Sequence, residues 1–184
     1  MTVGASTAST AFKPALSHFG VFCRDLEAMV EFYTTVFDLA ITDRGEGHTM
    51  RFSLVFLSGN PEQHHQLVLA SGRGDSAPST VMQISFKVAQ LDDLREAWRR
   101  AEAHGATNIR GLNHGNALSI YFSDPEDNTV EVYLDTPWYV SQPHGDPLDL
   151  SGADEDIWAE TERICRADPS FKPVAEWRRT FGST

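Results

Sequence analysis

An internal repeat at a spacing of 65 residues constrains the fold of this chain more than any other feature of the sequence. When the first half is shifted by that spacing, apolar residues fall on apolar residues in segments with strand alternation and in segments with helical periodicity. The matched pairs are Phe19 with Ile84, Val21 with Phe86, Cys23 with Val88, Leu26 with Leu91, Met29 with Leu94, Tyr33 with Trp98, Leu67 with Val132 and Leu69 with Leu134. Two similar modules that each leave a sheet face uncovered are expected to pack together as a pair.

Each half of the repeat predicts a βαβββ module. In module one (16–70), a strand over 16–23 is followed by Asp25 at a helix N-cap position and by apolar residues at helical spacing, then by strands over 49–58 and 64–70. After a linker over 71–80, module two (81–135) repeats the order, with strands at 82–88, 107–111, 116–123 and 129–135 and a helix that ends at Gly105. We therefore expect an α+β fold, in which the two paired modules form a cupped mixed sheet.

The segments outside the repeat predict two further parts. Residues 1–15 are mostly small and polar, which indicates a disordered tail before a single domain over 16–140. The remaining 141–184 are expected to form a C-terminal extension with one helix over 151–167, since acidic residues begin that stretch and Arg163 and Arg166 end it.

Polar residues interrupt the apolar pattern at equivalent places in the two modules. The shift puts His18 on Gln83 and Gln66 on Glu131, and all four stand in otherwise apolar runs. If the modules pair symmetrically, these side chains converge on the axis between them. A buried carboxylate needs a partner, and a metal cation suits one that has His and Gln side chains beside it.

Composition excludes several classes of function. The net charge of −11 argues against a nucleic-acid partner, and no apolar run is long enough to span a membrane. Cys23 and Cys165 are too few for a disulfide framework, and the first residues lack the pattern of a signal peptide. These features predict a reduced, cytoplasmic, single-domain protein.

The most specific motif is NHGNALSIYFSDPEDNTVEVYLDTPW, from Asn113 to Trp138. Together with His18 at the start of the repeat, this motif resembles the vicinal oxygen chelate superfamily of glyoxalases, bleomycin and fosfomycin resistance proteins and type I extradiol dioxygenases. The resemblance covers about 16–140 and is closest to one-domain dioxygenases that cleave catechols or biphenyl diols. It implies a fold of paired βαβββ modules around a metal site.

The resemblance also implies a role for each matching residue. His18 and Glu131 match metal ligands, with Gln83 at the position of the third ligand. His65 matches the acid/base His, Tyr121 matches the Tyr that binds the substrate or oxygen, and His114 matches a His close to the substrate. The implied cofactor is Fe(II), with Mn(II), Zn(II), Ni(II) or Co(II) as alternatives. The implied partners are an aromatic or vicinal-oxygen substrate, O₂ and a second copy of the chain in a homodimer.

One position departs from that pattern, because Gln83 stands where extradiol enzymes have a second His ligand. An amide weakens the arrangement of two His and one carboxylate that is typical of non-heme Fe(II). Two alternatives therefore stay open. One is a redox-neutral isomerase, epimerase or lyase in which Gln66 is a further ligand, and the other is a binding protein of the resistance type that catalyses no reaction.

Only one of the neighbouring residues His65 and Gln66 can face the cavity, since adjacent side chains of a regular strand point to opposite faces. The repeat favours Gln66 and the resemblance favours His65, which would have to lie at a bulge or at the very start of the strand. We predict that His65 faces the cavity.

Overall fold

The computed structural model describes residues 14–49 and 51–180, so almost all of the predicted tail over 1–15 lies outside the described part. Module one has the predicted βαβββ order, and its four strands form one sheet with the order β1-β4-β3-β2. The elements are β1 (Phe19–Cys23), α1 (Leu26–Phe37), β2 (Ala40–Glu46), β3 (Ser53–Ser58) and β4 (Leu67–Ser71).

Module two repeats this topology in a second sheet, whose strand order is β10-β6-β7-β8-β5. The elements are β5 (Ile84–Lys87), α2 (Leu91–Ala103), β6 (Thr107–Asn113), β7 (Ala117–Ser123) and β8 (Thr129–Asp135). The short strand β10 (Asp146–Pro147), from the C-terminal extension, lengthens this sheet at its β6 edge.

The helix boundaries follow the predicted signals. Asp25 caps α1, because its Oδ1 accepts a hydrogen bond from the Ala28 backbone N–H at 3.0 Å. Gly105 follows the end of α2 in the left-handed region, with φ of 79°, where its lack of a Cβ avoids strain.

Helix α1 packs across the boundary between the modules and joins them in one core. Phe37 stacks on Phe86 with ring centroids 3.9 Å apart, and Phe32 packs edge-on against Phe122. The apolar faces of both sheets and of both helices belong to a single hydrophobic cluster. The predicted α+β fold of paired βαβββ modules is thus confirmed, with one addition: in a single chain the modules keep separate sheets, and each sheet has an outer face turned away from this core.

The predicted βαβββ order requires strand β2, but its position was not predicted from the sequence. Every residue of Ala40–Glu46 is exposed, so the segment lacks the apolar alternation that indicates a strand. It is a strand because its backbone pairs with β3 at the edge of the first sheet.

The equivalence of Gln66 and Glu131 is wrong. Phe19 of β1 lies opposite Leu67, 48 positions later, whereas Ile84 of β5 lies opposite Val130, 46 positions later. The last strand of module two has therefore slipped by two residues relative to module one, and the residue of module one that corresponds to Glu131 is Val68. A slip of two keeps every side chain on its original face, so the apolar pattern could not reveal it.

A buried ion pair connects the two modules. The Arg73 guanidinium lies 3.2 Å from the Glu126 carboxylate, and their side chains are only 7% and 4% exposed. Glu126 Oε1 also accepts the backbone N–H groups of Arg24 and Asp25 at the start of α1. One carboxylate of module two thus holds the linker and the first helix of module one.

The C-terminal extension is folded and contains more than the one predicted helix. The predicted helix is α3 (Asp154–Ala167), and a second, short helix α4 (Val174–Arg179) follows it. Strands β9 (Trp138–Tyr139) and β11 (Lys172–Pro173) pair with each other, and Trp177 stacks on Tyr139. Among the described residues, no helix is both long and apolar enough to cross a membrane.

Candidate active site on the second sheet

The candidate site lies on the outer face of the second sheet, along one row of paired residues. The strand register places Arg110, Tyr121, Glu131 and Ser85 side by side across β6, β7, β8 and β5. Because side chains alternate between faces, this polar row lies opposite the apolar residues that face the core. The alternation of side chains that places apolar residues in the core thus also places the polar residues of the site in one row on the other face of the sheet.

Glu131 is the centre of this row, with only 7% of its surface exposed. Its Oε1 accepts hydrogen bonds from Tyr121 at 2.5 Å and from Ser119 at 3.0 Å. Its Oε2 accepts from Ser85 at 2.6 Å and from the Gln83 amide at 2.9 Å. Four donors match the roughly four acceptor positions of a carboxylate, and Glu131 makes no ion pair within the described part of the chain.

Tyr121 connects the carboxylate to His114. Its hydroxyl lies 2.5 Å from Glu131 Oε1 and 3.0 Å from His114 Nε2. Burial, and then the hydrogen bond to Glu131, raise the pKa of Tyr121 well above its ordinary value, so the hydroxyl keeps its proton at neutral pH. Tyr121 therefore acts as a hydrogen-bond donor in this site.

His114 is oriented by its other ring nitrogen. Its Nδ1 lies 2.6 Å from the backbone oxygen of His144. A carbonyl oxygen can only accept, so Nδ1 carries the proton and Nε2 is the atom presented to Tyr121.

An open cavity of about 300 Å³ lies over these residues. Its lining includes His114, Tyr121 and Glu131, together with Asn116, Tyr133 and Gln142. A small molecule in this cavity would contact the Glu131 carboxylate at the base and the His114 imidazole at the side.

The other two predicted site histidines lie on the first sheet. The exposed His18 precedes β1, and its ring centroid is 4.2 Å from that of His65, just before β4. Desolvation, and then the neighbouring His18 and His64, lower the pKa of His65, which favours its neutral form. Gln66 does not join this pair, because its Oε1 accepts a hydrogen bond from the Gly59 N–H at 3.0 Å.

The predicted site residues thus form two groups within one chain. Gln83, Tyr121, Glu131 and His114 are in contact on the second sheet, and His18 and His65 are in contact on the first. Over the described residues, no group of three or more His, Cys, Asp and Glu side chains is placed to hold a metal. The expectation that His18, Gln83 and Glu131 converge is therefore not met among the described residues of a single chain, since His18 contacts His65 beside the first sheet and Gln83 bonds to Glu131 on the second.

The chemistry of these residues nevertheless suits a divalent metal. A carboxylate and an amide oxygen on one sheet, with imidazoles on the other, are ligands that Fe(II) and Mn(II) accept. Glu131 is buried without a cationic partner among the described residues, and that arrangement is costly for a carboxylate unless hydrogen bonds or a metal compensate it.

Sequence reasoning missed two hydroxyl donors, Ser85 and Ser119. Ser85 alternates with Ile84 and Phe86, and Ser119 alternates with Leu118 and Ile120. Polar residues that alternate with buried apolar residues on the same strands as Glu131 were the available signal.

Comparison with known proteins agrees with this geometry. Residues 15–132 match the model of the glyoxalase/bleomycin resistance protein/dioxygenase superfamily. A biphenyl-2,3-diol 1,2-dioxygenase of Rhodococcus globerulus is 27% identical over 128 residues, which are 66% of this chain and 64% of that protein. The chain thus spans less than two thirds of the length of that relative.

Solved structures show the same fold. The fosfomycin resistance protein FosX of Mesorhizobium loti superposes with a TM-score of 0.54 at 24% identity, over 68% of this chain and 94% of that one. FosX of Listeria monocytogenes, solved with Mn(II) and sulfate, superposes with the same TM-score at 19% identity, over 68% of this chain and 95% of that one. The family match covers well over half of the chain, and the module topology agrees with it. The chain belongs to the glyoxalase/bleomycin resistance protein/dioxygenase superfamily.

Proposed function

We propose that this protein is a metal-dependent dioxygenase that cleaves the ring of a catechol or a related aromatic diol. The observation that carries the proposal is the series of contacts from the buried Glu131 carboxylate through the Tyr121 hydroxyl to the His114 ring, beside an open cavity. The similarity to a biphenyl-2,3-diol dioxygenase supports this reaction class over others of the superfamily.

Glu131 and Gln83 would hold the metal from one sheet, and His18 would hold it from the other. All four acceptor positions of Glu131 are occupied, so a bound metal must displace at least one donor. The Gln83 amide suits this exchange, since a rotation replaces its N–H₂ with an oxygen that can be a ligand. When bound, the metal would supply Lewis acidity and open coordination positions for the diol oxygens and O₂.

The chain's own residues would position the substrate and move protons. The protonated Tyr121 hydroxyl can donate a hydrogen bond to a substrate oxygen where negative charge develops. His65, whose pKa is lowered, is neutral near pH 7 and can accept a proton from the diol. Tyr133 and Asn116 would contact the far side of the ring from the cavity wall.

We further propose that the site is completed by a second copy of the chain. The outer face of the first sheet carries His18 together with Phe22, Phe56 and Val68, and the Phe22 side chain is 50% exposed. An apolar sheet face that carries candidate ligands is suited to cover the polar row of the second sheet of another molecule. In such a homodimer, each site combines His18 and His65 of one copy with Gln83 and Glu131 of the other.

Oxygen uptake tests the reaction directly. Protein loaded with Fe(II) under anaerobic conditions is offered a panel of catechols that includes biphenyl-2,3-diol. We expect stoichiometric O₂ consumption and a yellow ring-opened product. Glu131→Gln should abolish turnover, whereas Glu96→Gln on the exposed face of α2 is the matched control and should not. If protein with demonstrably bound metal converts none of the catechols, the result would contradict the proposed dioxygenase activity.

Mixing two inactive variants tests the shared site. His18→Ala and Glu131→Gln homodimers each lack one half of every site. If the sites are shared between copies, mixed dimers contain one intact site, and random exchange should restore about a quarter of the wild-type activity. No recovery after demonstrated subunit exchange would show that each site is built from a single chain.

Gln83 favours a second candidate, a redox-neutral isomerase or lyase that uses another divalent metal. An amide oxygen is a neutral donor and weakens the ligand set that is typical of Fe(II) oxygenases. Gln83→His should tighten Fe(II) binding if Gln83 is a ligand, as measured by competition with a chelator. Wild-type protein that converts its substrate with Mn(II) or Zn(II), without consuming O₂, would support this second candidate. Substrate binding without any bound metal or turnover would support a sequestering protein.

A further inference from the structure

The C-terminal extension packs closely on the turn that carries His114. Gly115 has a φ of 71°, and a Cβ there would lie 2.4 Å from Val140 Cγ2 and 3.3 Å from Cys165 Sγ. The Cys165 thiol and the Thr136 hydroxyl also donate hydrogen bonds to the Gly115 carbonyl. Cys165 of the extension, with Thr136 and Val140 just before it, thus contacts the turn over 113–116 and leaves no space for a side chain at Gly115.

Side-chain hydrogen bonds connect the extension to both ends of this turn. The buried Asn113 amide donates to Thr161 Oγ1 of α3 at 2.9 Å, and its oxygen accepts the Gly115 N–H at 2.9 Å. From the loop before β10, the Gln142 amide donates to the His114 backbone oxygen at 2.8 Å.

The same loop contacts the His114 ring through the His144 carbonyl, which accepts from Nδ1. The ring of His144 lies near two carboxylates, with Asp146 Oδ2 3.1 Å from Nε2 and Asp168 Oδ2 3.8 Å from Nδ1, and Nε2 is buried without a hydrogen-bond partner among the described residues. Carboxylates of β10 and of the residue that follows α3 therefore flank the residue whose carbonyl contacts His114.

We propose that the C-terminal extension is a positioning element for His114, which fixes the ring tautomer and directs Nε2 toward Tyr121. The match to the superfamily ends at residue 132, so the extension lies outside the segment shared with the family. The consequence for catalysis rests on the proposed function, since His114 acts on a substrate only if the cavity is an active site. Its positioning residues are Thr161, Gln142 and His144, of which Gln142 also lines the cavity.

Nitrogen-15 NMR of the histidine rings tests the positioning without substrate or metal. In the wild type, His114 should show a single tautomer with the proton on Nδ1. Thr161→Val removes the hydroxyl that holds Asn113 and should shift His114 toward a mixture of tautomers, while Thr161→Ser keeps the hydroxyl and should restore the wild-type signal. The matched control is Thr34→Val, because Thr34 makes the same hydroxyl contact to a carbonyl one helical turn earlier but lies in α1.

Steady-state kinetics then test whether the position of the His114 ring affects turnover. Thr161→Val should lower kcat about tenfold and leave KM nearly unchanged, in step with the NMR change, and Thr161→Ser should recover it. Gln142→Ala is a second variant at an exposed position, which remains informative if Thr161→Val does not fold.

A His114 tautomer that stays unchanged in both Thr161→Val and Gln142→Ala would overturn the inference. A change of tautomer that equally follows Thr34→Val would also overturn it, since the effect would then be general loosening of the fold. A wild-type protein with a fixed Nδ1–H tautomer but without ring cleavage would refute the proposed reaction and still support the positioning.

Discussion

The outer faces of the two sheets carry different chemistry on the same topology. On the first sheet, His18 and His65 stand at the ends of strands among apolar side chains, and His18 is exposed. On the second sheet, Glu131 is buried in the middle of a strand and accepts four hydrogen bonds. The difference teaches that two modules of one topology can present different side chains on their outer faces, provided that the core faces stay apolar.

The register explains how the modules could diverge in this way. Val68 stands on the first sheet where Glu131 stands on the second, because the last strands differ by two residues in their pairing. A slip of two residues leaves the core face intact and changes only which residue reaches a given place on the outer face.

The largest effect is expected from a variant that breaks the connection between the modules. Glu126→Ala would leave the Arg73 charge buried without its partner and would leave the first amides of α1 without their acceptor. We expect the free energy of unfolding to fall by about 3–5 kcal/mol, measured by urea denaturation. Glu96→Ala, at an exposed ion pair within α2, is the control and should lower the stability far less, because an exposed ion pair contributes little. Equal losses in the two variants would show that the buried pair does not hold the modules together.

Variants of two buried tyrosines distinguish an effect on catalysis from an effect on stability. Tyr121→Phe should lower kcat about 100- to 1,000-fold, because it removes the hydroxyl that donates to Glu131 and contacts His114 Nε2 in the described site. Tyr33 of module one also donates to a buried carboxylate, Asp124, but outside the cavity. Tyr33→Phe should lower the free energy of unfolding by about 1–2 kcal/mol and leave kcat unchanged. Similar kinetic effects for both variants would refute the assignment of Tyr121.

The helix starts of the two modules offer a smaller contrast. Asp25 caps α1 through its side chain, whereas Gln90, at the same place before α2, makes no such bond in the described structure. Asp25→Ala should cost about 1 kcal/mol, and Gln90→Ser should gain about 0.5 kcal/mol in thermal or urea unfolding. A loss on Gln90→Ser would mean that its existing contact with Asp93 outweighs a cap.

The smallest effect is a pH dependence confined to α2. Hydrogen bonds from Arg99 and then Arg100 lower the pKa of Glu96 to about 2. Since the unfolded chain has the ordinary pKa of 4.5, this contribution to stability is present above pH 4.5 and is lost as the pH falls toward 2. Glu96→Gln should therefore differ from the wild type in its urea midpoint at pH 7 and much less at pH 2. A difference of equal size at both pH values would exclude the carboxylate as the cause.

Much of the fold could be predicted because core periodicity is strong in both modules. The start of α1 at Asp25 and the end of α2 next to Gly105 could also be predicted, because a helix cap and a C-terminal glycine each depend on local backbone geometry. The position of strand β2 could not be predicted, because an edge strand with both faces exposed depends on backbone pairing alone. The second extension helix α4 was also missed, and it has only six residues.

The site was only partly predictable. The contacts among Gln83, Tyr121, Glu131 and His114 follow from strand alternation and from a motif in nearly contiguous sequence. The separation of His18 from Glu131 depends on which sheet faces turn toward the helices, and periodicity does not specify that arrangement. The hydrogen bond from His114 to the His144 carbonyl could not be predicted, because a backbone oxygen has no sequence signature.

The two edges of the first sheet differ in whether they can accept another strand. At one edge, β2 carries Asp43, Arg44 and Glu46, and such charges discourage further pairing. At the other edge, β1 has the sequence FGVFC, without a charge. A strand from another molecule is therefore expected to pair with β1 rather than with β2, so any extension of this sheet beyond one chain has a single direction.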